Sequence, residues 1–224
     1  TLIRDEDPVI ETQETFGTVS VAARGFYALE FLLFDDAFTQ NEAVEYTCAL
    51  TVAVAADIAD NAAAILDGWT GGYAALMSTP GNDTYRSTTE AAQQFFTALS
   101  TGWGCTADTR LARPLGTLER PRPNRAEARR SERSLRHVAL SRDATRGLAT
   151  LIAPNNSEVD EAFSAAISRA ADLDDPALAG VATPVGRLRV ESLQVSVNAI
   201  RNILAQDIGP SLGISAGFNA LDGD

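Results

Sequence analysis

Lysine is absent from this chain, so all 18 basic residues are Arg. Histidine occurs once, as His137, and cysteine only twice. Catalytic zinc sites generally include at least one His or Cys, so little is available to build one. No Cys-x-x-Cys pair occurs, which removes the common dithiol redox motif. No uninterrupted apolar run approaches about 18 residues, so no membrane span is expected. Alternating β-branched runs are nearly absent, which argues against sheet. The chain does not open on Met and nothing in it reads as a signal peptide. Its polar opening, Thr1 to Pro8, reads as if cut from something longer.

What is present is a folded, acidic, helical chain. Of its 224 residues 45% are hydrophobic and 21% charged, with a net charge of −12, a balance that favours a packed core over disorder. Between Arg110 and Arg146 lie 11 Arg and four acids, a local surplus of +7, so the remainder carries −19. A net-acidic whole is repelled by nucleic acid, while the Arg-rich stretch can still attract small anions or pair with acids elsewhere. Cys48 and Cys105 leave two readings open. One is a disulfide closing a long loop, worth up to roughly 4 kcal/mol in an oxidising compartment. The other is two free thiols.

Helix signals cover most of the chain. One helix is expected from about Pro8 to Asp35, with Pro at its start. A second follows Asn41 as N-cap and runs to about Trp69, with Val44, Cys48, Val52, Ala55, Ala59, Ala63 and Leu66 spaced as an apolar face. A third spans about Ser87 to Ser100. Residues 101–123, rich in Gly and Pro, are expected to be irregular. A fourth helix is expected from near Asn124 to Ile152, with Leu135, Val138, Leu148 and Leu151 on its apolar side. Pro154-Asn155-Asn156-Ser157 breaks it and caps a fifth, Glu158 to Leu173. The last, Arg187 to Gln206, carries Leu188, Leu193, Val197, Ile200 and Leu204 on one side. The fold class is therefore all-α, with up-and-down helical bundles. The irregular segment is the natural boundary, giving halves 1–110 and 111–224.

Residues 25–34, Gly-Phe-Tyr-Ala-Leu-Glu-Phe-Leu-Leu-Phe, place one carboxylate, Glu30, in an otherwise apolar run. A buried acid must be paired, protonated or bound, because an isolated buried carboxylate is very costly. Tyr27 lies three residues earlier, on the same face of a helix. Two further segments stand out. One is Arg113-Pro114-Leu115-Gly116 with Glu127-Ala128-Arg129-Arg130-Ser131-Glu132-Arg133-Ser134-Leu135. The other is the ending Gly217-Phe218-Asn219-Ala220-Leu221-Asp222-Gly223-Asp224.

In this order the three segments resemble the imelysin family, whose signature is Gly-x-His-x-x-Glu. Here Tyr27 stands at the His position. The resemblance implies two packed helical bundles in a periplasmic or surface-attached bacterial protein linked to iron uptake, some relatives being labelled metallopeptidases. A long stretch usually precedes the signature and only 24 residues do so here. The family's N-terminal region, with any export signal, is therefore expected to be missing from this chain.

The residues then suggest a polar pocket around Glu30, expected where the signature helix meets the Arg129–Ser134 segment and the tail. Its candidate ligand-binding residues are Tyr27, Glu30, Arg129, Arg130, Ser131, Ser134, Asn219 and Asp222. Glu30 is the candidate metal ligand. Asp35, Asp36 and Asp224 are further oxygen donors suited, with a Tyr phenolate, to a hard cation such as ferric iron. Arg129, Arg130 and Ser131, near the expected start of a helix, suit an anion or a chelated iron species. Three readings follow. The leading one is a non-catalytic binding protein that takes an iron species or a small anionic ligand and works with envelope iron-uptake proteins. The second is a metallopeptidase-like hydrolase, for which the signature His is lacking. The third is an interaction scaffold in which Glu30 pairs with an Arg and no ligand exists.

Overall fold

A computed structural model describes residues 2–154 and 156–214. Helices and helical turns dominate, and no strand occurs among the described residues, in agreement with the all-α expectation. The chain forms two compact units, Thr1–Ala75 and Leu76–Asp224. The division expected from composition, near residue 110, falls inside the second unit.

In the first unit, the single helix expected over 8–35 is broken into short turns before the helix Gly25–Phe34, here α1. The breaks have a local cause. Side-chain oxygens of Asp7, Thr12 and Ser20 each accept a nearby backbone N–H, from Val9, Thr15 and Ala22. Such bonds compete with a continuous helical ladder. Asp35 ends α1 and caps the next turn by accepting from Ala37 N–H.

The long helix α2, Val44–Gly68, starts without a side-chain cap. Asn41, expected to cap it, instead donates to Phe38 O and to Thr47 Oγ1, the latter at 3.0 Å. The side of α2 that is buried is Thr47, Leu50, Ala53, Val54 and Asp57. It packs with Phe16 and Leu32, and Phe16 is wholly enclosed. The side expected to be buried is the outer one: Val44, Cys48, Val52, Ala55, Ala59, Ala63 and Leu66 are all exposed. Apolar residues surround this Ala-rich helix, so spacing alone does not choose a face; the polar anchors at Thr47 and Asp57 do. The helical path is broken within Trp69–Tyr73, where Gly72 leaves helical backbone at φ +149°, and Ala74–Ser78 is a separate short helix. By length and composition alone, Val44–Ser78 would suffice to cross a bilayer. One side of α2 is buried, with Thr47 and Asp57 paired to Asn41 and Arg24, so no clear membrane span follows.

In the second unit, α3 (Thr88–Gly104) begins close to its expected start and is capped by Ser87, whose side chain accepts from Glu90 N–H. The helical path then continues where irregular chain was expected, through a π turn at Cys105–Leu111 and a helical turn at Ala112–Leu115. Pro114 follows directly on the widened turn, where the hydrogen-bond register is already changing and its missing N–H costs least. Gly116 ends the path with φ +56°, and a Cβ there would lie 2.4 Å from Arg120 O.

The next helix, α4 (Ser134–Ile152), begins ten residues later than expected. Ala128 and Glu132 adopt positive φ, which no helix tolerates. Leu151, expected on the apolar side of α4, is exposed. α5 (Ser157–Leu173) is capped by Asn156, which accepts from Val159 N–H. α6 (Pro184–Ile203) follows.

The core of this unit is built from three- and four-residue spacings: Val159, Phe163, Ala166, Ala170 and Leu173 on α5, and Val190, Leu193, Val197, Ile200 and Leu204 from α6 onward. Leu188 falls outside that stripe and is exposed. Trp103 of α3 meets Phe163 edge to face, with centroids 5.2 Å apart. Cys48 is an exposed free thiol of the first unit and Cys105 a half-buried free thiol of the second.

Candidate functional site

In the first unit the site is organised by α1. Arg24 lies just before it in extended backbone, and Gly25 opens the helix at φ +79°, a conformation glycine adopts at no steric cost. The Arg24 guanidinium fixes this entry. Its Nε donates to Asp57 Oδ2 at 3.0 Å, Nη2 donates to Asp57 Oδ1, and Nη1 donates to Gly17 O at 2.7 Å. The hydrogen bonds that Arg24 donates to Asp57 raise the Arg24 pKa above its ordinary value, against the opposing effect of desolvation.

On the helix so placed, only Glu30 and Leu32 are buried. Glu30 is 9% exposed, whereas Phe26 is 74% and Phe34 53% exposed. The acid is thus enclosed while the aromatic residues face outward, the reverse of what hydropathy alone favours. Tyr27, one turn before Glu30, is partly exposed, and both side chains have interaction partners. A cavity of about 350 Å³ lies elsewhere on α1 and is lined by apolar residues, among them Ala28, Phe31, Leu32, Phe38 and Leu50. Neither Glu30 nor Tyr27 lines it.

In the second unit, the segment 127–134 is a turn held by its own hydroxyls. Ser131 Oγ donates to Ala128 O at 3.2 Å, and Ser134 Oγ, buried, donates to Glu127 O. Leu135 N–H, in the first turn of α4, is spent on Pro176 O at 3.0 Å. Arg110 braces the turn from α3's extension, with Nε on Glu127 Oε2 at 3.1 Å and Nη1 on Ser141 Oγ at 2.7 Å. Arg129 and Arg130 are half-buried. The buried Nε of Arg129 has no hydrogen-bond partner among the described residues. Within the expected anion site the Arg129 Nε is thus unengaged among the described residues, while the hydroxyl protons are taken up by the turn.

Asp35 and Asp36 serve short-range roles, Asp35 as a cap and Asp36 accepting from Gln40 Nε2 at 3.1 Å. Among the described residues no group of three His, Cys, Asp or Glu side chains comes close enough to hold a metal ion. Asn219, Asp222 and Asp224 lie outside the described residues.

Three arginine anchors escaped the sequence reading. They are Arg24 on Asp57, Arg110 on Glu127, and Arg187, whose Nη1 donates to Leu115 O at 2.7 Å and Thr117 O at 2.9 Å. A signal existed for the first: Asp57 sits among Val54, Ala55, Ala56, Ile58 and Ala59, a setting as apolar as that of Glu30. For Arg187 no local signal exists, because it acts on backbone carbonyls far away in sequence.

The family model for imelysin, a peptidase family, matches residues 3–205. The chain belongs to the imelysin family. The matched range takes in α1 with Glu30 and the Arg129–Ser134 turn, and it ends before the closing segment 217–224. No curated protein and no solved structure matches this imelysin-family chain.

Proposed function

We propose that this imelysin-family chain is a binding protein of the bacterial envelope connected with iron acquisition, and that Glu30 is the centre of its ligand pocket. The observation that carries this reading is the burial of Glu30, a carboxylate enclosed on a helix whose large apolar side chains face outward. Enclosing an acid costs free energy even when it is partnered, which favours a recognition role for it. Tyr27, on the same face, supplies a phenol that suits ferric iron.

The donor set also shapes the cargo. A bare cation of this hardness takes about six oxygen ligands. The described residues bring no three acidic, His or Cys side chains together. The reading that fits is a chelated iron species, whose chelator completes the iron's shell while Glu30 and Tyr27 recognise the complex. In the second unit, the Arg129 guanidinium is a second candidate group for an anionic chelate.

Peptidase chemistry is the weaker reading, because Tyr27 occupies the position of the signature imidazole and the first unit contains no His. Ferric citrate titrated into the protein and into Glu30→Gln tests the proposal. Saturable binding by the first and its loss in the second supports it, and equal binding by both contradicts it.

A further inference from the structure

Between α5 and α6 the second unit carries a charged cleft that the reading above does not use. It measures about 240 Å³ and is lined by Arg169, Asp172 and Leu173 of α5 with Arg189 and Ser192 of α6. Within each helix the charged or polar pair is three residues apart and so shares a face. Arg169 is oriented by two bonds, Nε to Ser192 Oγ at 3.2 Å and Nη1 to Ala165 O at 3.4 Å. Its Nη2 has no partner among the described residues, and Ser192 Oγ, acting as acceptor, keeps its own proton to donate. Arg189 and Asp172 form no hydrogen bond or ion pair with any described residue. Two guanidinium groups and a carboxylate thus rim one small cleft without neutralising each other.

We propose that this cleft binds a small zwitterion of the amino-acid class. Its carboxylate sits between Arg169 and Arg189, with Ser192 Oγ–H donating to it. Its ammonium faces Asp172, and its short carbon chain lies against Leu173. A guanidinium fork matches a carboxylate's two oxygens, which makes the arginine pair the carboxylate end. A plain anion would satisfy the arginines and be repelled by Asp172; a plain cation would meet the reverse. Only a ligand with both signs uses all the groups. The volume lies below the usual range of about 300–1,000 Å³ for small-molecule pockets, which restricts the ligand to a few heavy atoms.

The test is a titration of the full chain, followed by amide NMR shifts, with β-alanine and with propionate, which share a carbon skeleton and differ by the ammonium. The rim residues are exposed, so the advantage of one extra charge contact is modest, about fivefold at most. β-Alanine is expected to give saturable shifts in α5 and α6 and to bind severalfold tighter than propionate. Arg189→Gln should weaken both severalfold, and Asp172→Asn should bring β-alanine down to the propionate level, each with an unchanged melting temperature. Absence of saturable shifts, equal affinity for the two acids, or binding insensitive to Arg189→Gln would overturn the proposal.

Discussion

Arg24 grips Asp57 with two of its nitrogens while a third holds the Gly17 carbonyl. This pair locks the entry of α1 to the buried side of α2 and so fixes the register at which Glu30 and Tyr27 are presented. Asp57→Asn is expected to lower the melting temperature clearly. Asp5→Asn, which removes the exposed Arg4–Asp5 pair, should leave it nearly unchanged, as surface pairs contribute little. Thermal unfolding followed by circular dichroism distinguishes them, and equal effects would show that the Arg24 grip is incidental.

Gly116 should not tolerate a side chain. At φ +56°, with Arg120 O only 2.4 Å from the position a Cβ would take, Gly116→Ala combines strain with a backbone clash. The expected loss exceeds about 1 kcal/mol in urea unfolding. A loss within error would mean that the 113–122 loop has another conformation.

Phe163 fills the centre of the second unit, wholly enclosed against Trp103. Truncation of a buried Phe costs about 3–5 kcal/mol. Phe163→Ala should therefore destabilise the unit strongly and alter Trp103 fluorescence. Val185→Ala, at an exposed site on α6, is the matched control and should do neither.

Tyr46 gives a pH signature. Desolvation pushes its hydroxyl above the ordinary value of 10.0, and the charges of Asp7 and Glu6 add to the push. Its OH donates to the Asp7 carbonyl at 2.8 Å. For an acid whose folded-state pKa is raised, the stabilisation is complete below the unfolded value and is lost as pH rises through the folded one. The urea midpoint should accordingly fall above pH of about 10, and Tyr46→Phe should fall less steeply over that range. Identical alkaline profiles would remove Tyr46 from the account.

The sequence made some of this legible for identifiable reasons. The α6 stripe was readable because Leu193, Val197, Ile200 and Leu204 recur at helical spacing among polar residues. The break before α5 was readable because the run Pro154-Asn155-Asn156-Ser157 ends one helix and caps another. Glu30 was readable as buried only because the helix around it is so apolar.

The helix expected over 8–35 was not readable as broken, since Thr12 and Ser20 act through short-range bonds that periodicity does not register. The buried side of α2 was hidden because Ala and Val surround that helix, and the choice of face is made by Arg24 and Asn41, both outside it. The turn before Ser134 was obscured because Arg, Ala and Glu are good helix formers, overridden there by hydroxyl bonds to Glu127 and Ala128.

The central claim is that Glu30 recognises a chelated iron species, and calorimetric titration with ferric citrate tests it most directly. Wild type should bind saturably, Glu30→Gln should lose binding while keeping its circular dichroism spectrum, and Tyr27→Phe should weaken it. A folded Glu30→Gln protein that binds ferric citrate as wild type does would contradict the claim.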